Sequence, residues 1–255
     1  MRKSIGLAAT VAVLAGATSA LAGQAATEPN GDFIDLNVAI SPPIAGTPKA
    51  PRGVGVSFDS FTGNRVNGNT PAVSGSIVTR FNKGFKDNAL LFPSCKINST
   101  GLTKCPKATQ IGTGTAEASL PGTNGAPPSF LPATLVAYNG QPLSGKTPTL
   151  IFIASINGQP ASELDFTVKQ QPSGPYGLAF SSIQLPSAPA PAFAITKFSV
   201  TVPDQTVTHK VRGKRVKVHL IEAPTSCHGS WKFAQTNTPN NGAPLTATDT
   251  QPCTS

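Results

Sequence analysis

Apolar and polar residues alternate with a period of two along most of this chain, the signature of strands that turn one face to a core. Ile34, Leu36, Val38 and Ile40 fall on one side of such a run, and Asp35, Asn37 and Ala39 on the other. Runs of the same kind cover residues 54–61 and 73–81, separated by a turn-rich stretch from Thr62-Gly63-Asn64 to Pro71. Leu164, Phe166 and Val168 alternate with Glu163, Asp165, Thr167 and Lys169, and Phe198, Val200 and Val202 with Lys197, Ser199 and Thr201. Two runs differ. Residues 149–156, TLIFIASI, are apolar on both faces and belong in the middle of a sheet covered on both sides. Residues 111–118 form a strand of small side chains entered from a polar loop.

Residues 177–185 read as a further strand. Residues 206–211 and 215–221 flank Arg212-Gly213-Lys214 as a hairpin whose Val216, Val218 and Leu220 should face the core. Helical periodicity is nearly absent. With 25 prolines and 24 glycines punctuating about a dozen short strands, the expected fold is all-β: an antiparallel β-sandwich, jelly-roll-like, with Greek-key connections. The Pro-rich stretch at 186–192 is the one candidate sub-boundary inside a domain running from 32 to 255.

The N-terminus bears on compartment. Arg2 and Lys3 precede an uncharged apolar run over 5–17 and the small-x-small site Ala20-Leu21-Ala22. That pattern predicts a cleaved secretory signal peptide over 1–22, followed by a flexible segment over 23–31. The run is too short for a membrane-spanning helix. No cysteine follows it and no apolar tail closes the chain, so the expected product is secreted and released rather than anchored. Losing Arg2 and Lys3 lowers the formal net charge from +9 by two. Only 12% of residues are charged, which implies a surface built from Thr, Ser, Asn, Gln, Gly and Pro.

Four cysteines allow three pairings. Cys95 with Cys105 and Cys227 with Cys253 close two local loops, and the chain-entropy account values such bridges at about 3 and about 3.5 kcal/mol. A zinc site needs clustered ligands, and only Cys227-His228 approaches that spacing. No metal or cofactor is expected.

Two segments together carry a resemblance. The loop from Cys95 to Cys105-Pro106 runs into Ile111-Gly112-Thr113-Gly114 and Ala116, and Cys227 is followed by Gly229-Ser230-Trp231-Lys232-Phe233 and the terminal Cys253. This pair resembles a group of uncharacterised secreted β-rich proteins of actinobacteria. The resemblance implies an extracellular sandwich and carries no assigned activity.

Three candidate chemistries remain. Glu163-Leu164-Asp165-Phe166 puts two carboxylates on one strand face and looks like the start of the catalytic strand in laminarinase-type jelly-roll glycoside hydrolases. That family places a second Glu at the next alternate positions, where this chain has Thr167, Val168 and Lys169. A retaining mechanism needs two carboxyls flanking the scissile bond, so the set is incomplete. There is no G-x-S-x-G elbow to partner His209, His219 or His228, and the GTGT at 112–115 lacks the GK[ST] of a phosphate loop. The basic segment over 209–219 is the strongest local charge feature, with Lys210, Arg212, Lys214, Arg215 and Lys217. Its plainer explanation is a charged edge hairpin that resists sheet-to-sheet association. The functional alternative is attraction to an anionic cell-envelope or extracellular polymer. Secretion argues against nucleic acid as a partner. Asn98-Ser99-Thr100 is a formal glycosylation sequon in a polar loop. The sequence thus predicts a secreted, non-catalytic, disulfide-stapled interaction or structural module, with the glycan-active jelly roll and the polymer-binding hairpin as alternatives.

Overall fold

The computed structural model describes residues 26–27, 31–66, 70–98, 102–120, 127–171, 173–183, 193–211, 213–240 and 242–255. The expected signal peptide, the 186–192 connector, Ser99 and Thr100 of the sequon and Arg212 lie outside the described residues.

The strands are β1 (Ala26–Thr27), β2 (Asp32–Ser41), β3 (Gly55–Asn64), β4 (Ser74–Asn82), β5 (Lys86–Asp87), β6 (Gln110–Leu120), β7 (Ser129–Leu143) and β8 (Thr147–Ile156). They continue as β9 (Gln159–Gln170), β10 (Tyr176–Ile183), β11 (Ala194–Val202), β12 (Thr206–Val211), β13 (Lys214–His219), β14 (Ile221–Glu222), β15 (Ser230–Pro239) and β16 (Leu245–Pro252). The all-β antiparallel class holds. Among the described residues, twelve strands form one sheet in the order β1-β2-β3-β11-β6-β7-β8-β9-β10-β4-β15-β16. Its layers come from a single sheet rolled back on itself, and strands from both sides of 186–192 lie in it. Within the segment expected to be flexible, Ala26 and Thr27 pair with Ile34 and Phe33.

The roll almost closes. β16 lies beside β2, and side chains join them where a backbone ladder would in a complete barrel. Asp249 Oδ2 accepts the Val38 N–H at 2.6 Å; Gln251 accepts the Ile40 N–H at 2.6 Å and donates to the Ile40 carbonyl at 2.9 Å. Polar side chains thereby satisfy an edge that would otherwise expose its backbone groups.

Alternation decides what points inward. Ile34, Leu36, Val38 and Ile40 are all buried, facing Val56 and Phe58 of β3 through the pairs Ile40↔Val56 and Val38↔Phe58. β8, between β7 and β9 in the sheet, is covered on both faces, which accounts for its continuous apolar run. Leu150 and Phe152 point into the barrel, while Ile151 and Ile153 pack outside against Cys95, Ile97, Cys105 and Tyr138. The loop held by Cys95–Cys105 is therefore the lid on the sheet's outer face. Small residues on β6 permit close approach to β11: a Cβ on Gly112 would stand 2.5 Å from the Thr201 carbonyl oxygen, and one on Gly114 would strike that of Ser199.

The hairpin departs from expectation. β12 and β13 pair only with each other, as a two-stranded ribbon outside the main sheet. Val216, expected to face the core, is 41% exposed, because no second layer covers that part of the ribbon. Leu220, just past the ribbon, is buried as expected.

Candidate functional site

The interior is not filled from end to end. A cavity with about 100 Å³ of room for the centres of water molecules lies inside the roll, and its total empty space is about 980 Å³ when the open mouth is included. One buried water needs roughly 10–15 Å³ on the first measure, so the cavity exceeds a packing defect. Six phenylalanines stand in its mainly apolar wall, Phe58, Phe81, Phe152, Phe166, Phe180 and Phe198, one from each of six strands. The rings meet edge to face, with centroids 5.1 Å apart for Phe152–Phe198, 5.5 Å for Phe152–Phe166 and 5.1 Å for Phe81–Phe180. Each such pair contributes about 0.5–1.5 kcal/mol beyond its burial. A neighbouring cavity shares Phe152, Leu164, Ile195 and Phe198 as a partition and continues the space between β6, β7 and β8.

Seven polar side chains interrupt this lining, Ser60, Thr62, Ser74, Thr79, Asp87, Gln235 and Asn237, and two of them carry a buried oxygen with no partner. Gln235, 2% exposed, donates its amide to Asn237 Oδ1 at 2.7 Å, and Asn237 donates to Thr62 Oγ1 at 3.4 Å. That chain of donors fixes the Gln235 amide and leaves its carbonyl oxygen buried without a partner. An unpaired buried acceptor costs about 1–3 kcal/mol. Asp87, paired with Ile221 between β5 and β14, also lines the cavity. Its Oδ1 accepts the Ala89 N–H at 3.3 Å and its Oδ2 has no partner. Burial pushes its pKa up to about 6, against the opposing pull of that backbone bond.

The residues singled out from sequence lie elsewhere. Both disulfides form as expected, Cys95–Cys105 with Cα atoms 5.2 Å apart and Cys227–Cys253 with Cα atoms 5.8 Å apart. The second clips the β15 end to the β16 end of their antiparallel pair. Glu163 and Asp165 do share one strand face, the outer one, where the Cys95–Cys105 loop covers them. Thr103 of that loop donates its N–H to Glu163 Oε2 at 2.5 Å and its hydroxyl to Oε1 at 2.7 Å. Asp165 is 3% exposed. Burial first, then the charge and hydrogen bond of Glu163, push its pKa up to about 7. These carboxylates hold a loop down; neither faces an open cleft.

Lys210, Lys214, Arg215 and Lys217 are exposed on the ribbon, where Lys210 stands opposite Arg215. His219 Nδ1 bonds Asp204 at 2.8 Å, and His209 Nε2 meets the Leu91 carbonyl at 2.8 Å. Among the described residues no three His, Cys, Asp or Glu side chains gather as metal ligands.

Sequence reasoning missed Gln235 and Asp87. The run SWKFAQTNTP places Gln235 in phase with Phe233, a signal that it points inward. Asp87 sits on a two-residue strand too short to show a phase. Compared with protein-family models, curated proteins and solved structures, the chain matches none.

Proposed function

We propose that this chain is an exported, disulfide-stapled β-barrel module that binds an apolar small molecule within its phenylalanine-lined cavity. The observation that carries the reading is Gln235, whose buried carbonyl has no partner in the wall of a mainly apolar cavity. Well-formed, mainly apolar cavities with a few placed polar groups are the usual form of small-molecule sites. The ligand has an apolar body and one hydrogen-bond donor, such as the hydroxyl of a long-chain alcohol. Export rests on the N-terminal pattern together with two disulfides, which persist in oxidising compartments. The resemblance to secreted actinobacterial β-rich proteins agrees with that compartment.

Titration with an environment-sensitive apolar fluorophore, then displacement by long-chain alcohols and the matching alkanes, tests the reading. Saturable binding of one fluorophore per chain is expected, abolished in Ser60→Phe and Val200→Phe, which fill the cavity, as long as each variant melts cooperatively. Gln235→Leu should lower affinity for the alcohol about fivefold to tenfold, the worth of one hydrogen bond, and leave the alkane unchanged. Unsaturable binding by the unmodified protein, or undiminished binding by both folded cavity-filling variants, refutes it.

A further inference from the structure

The ribbon formed by β12 and β13 pairs with no other strand, and its register assigns each side chain to one of two faces. Residues directly opposite in an antiparallel pair point to the same side. Lys210 stands opposite Arg215, Thr208 opposite Lys217 and Thr206 opposite His219, which makes one face. Val207, His209, Val216 and Val218 fall on the other. That second face is turned to the protein body: Val207 packs on the core, and the His209 ring reaches the Leu91 carbonyl at 2.8 Å. On the first face Thr206, Thr208, Lys210, Arg215 and Lys217 are all exposed. Among the described residues no acidic side chain pairs with those three cations; the nearby ion pair joins His219 to Asp204, at the end of the ribbon away from its turn.

Guarding an edge takes isolated charges, and opposite charges across the strands would also stabilise the ribbon. Here Lys210 faces Arg215, a like-charged pair that destabilises it. Lys217 lies two residues along from Arg215, about 7 Å away. Sequences break such local rules where something other than stability selects the residues. We propose that this outward face binds a linear anionic polymer, whose successive phosphate or carboxylate groups meet Lys210, Arg215 and Lys217. Arg215 can hold one oxyanion through two parallel N–H bonds, the two lysines act as point charges beside it, and Thr208, opposite Lys217, adds a hydroxyl donor. Each contact is weak by itself, so a chain of anions held at several points is retained where a single anion is not. The proposal is independent of what the cavity holds.

Binding of the full mature chain to immobilised long-chain polyphosphate and to polyglutamate, at a series of sodium chloride concentrations, tests this and separates the two oxyanion chemistries. At least one polymer should bind, more weakly as salt is raised, and inorganic phosphate or free glutamate at the same concentration of anionic groups should fail to compete. Each exposed ion pair is worth up to about fivefold in affinity, so Lys210→Glu, Arg215→Glu and Lys217→Glu together should weaken binding about a hundredfold. A chain with 20 Lys and Arg against 11 Asp and Glu is attracted to any polyanion. The control therefore reverses three exposed lysines off the ribbon, Lys49, Lys146 and Lys169, to the same net charge, and it should keep most of the affinity. Lys210→Glu alone sets opposite charges across the ribbon: amide exchange on β12 and β13 should slow while polymer affinity falls, a split that loss of the fold cannot produce. Absence of binding to both polymers overturns the proposal. So do equal losses in the two triple variants, undiminished binding by Lys210→Glu, or single anions that compete as well as the polymers.

Discussion

Acidification should stabilise this protein over a range where carboxylates ordinarily make acid harmful, and Asp87 is the group that tests it most cleanly. Its Oδ2 is buried without a partner and its Oδ1 has one long bond to Ala89. Burial raises its pKa from 3.8 to about 6. In the unfolded chain the group ionises freely above its ordinary pKa, whereas the folded protein holds the proton until about pH 6. The native state therefore binds more protons throughout that window, and stability falls as pH rises through it. For these two values the linkage relation gives a loss of about 1.4 kcal/mol between about pH 5 and about pH 7.5. For a domain of this length that corresponds to about 3–6 °C in melting temperature. Asp87→Asn keeps the carbonyl that faces Ala89 and removes the ionisation. Thermal melts of both proteins at the two pH values should show the unmodified chain losing about 1.4 kcal/mol more than the variant. A slope remains in the variant because the raised pKa of Asp165 acts in the same direction. If the two proteins lose equal stability across the interval, Asp87 is not a desolvated carboxyl and the placement of the β5–β14 pair is wrong.

Replacing Cys95 and Cys105 with Ser should cost about 3 kcal/mol from the ten-residue separation. It should also move the Asp165 titration toward ordinary carboxylate values, because the loop excluding water from that carboxyl is released; denaturant unfolding follows the first effect and NMR titration of the side chain the second, and an unmoved pKa refutes the lid assignment. Asp249→Ala should cost about 1–3 kcal/mol by leaving the Val38 N–H unpaired at the seam. Hydrogen exchange should then accelerate at Val38 and Ile40 on β2 while β8 amides stay protected; uniform acceleration would mean that the seam is not a separate opening unit.

How far residues can be read depends on how far away their environment is made. The inward set of β2, Leu164 with Phe166 and Val168, and the two-faced β8 were all legible, because alternation records burial one strand at a time. The same rule misplaced Val216. Alternation says which side chains share a face, and it is silent on whether anything packs against that face; β12 and β13 have no layer over Val216. Asp165 fails in the opposite sense: a carboxylate on the polar side of a strand is 3% exposed because Thr103 and the disulfide loop arrive from about sixty positions upstream. The seam was hidden for a related reason, since Asp249 and Gln251, in phase with the inward Leu245 and Ala247, acquire their partners only when β2 comes alongside. Closure also explains why the candidate site escaped motif reading. A wall of phenylalanines drawn from six strands has no spacing in sequence, and each ring reads as ordinary core until the roll is seen to enclose more space than its side chains fill. Gln235 is the exception that a sequence could have exposed, because its phase with Phe233 places a full amide inside the barrel, where a side chain kept only for packing would have been apolar.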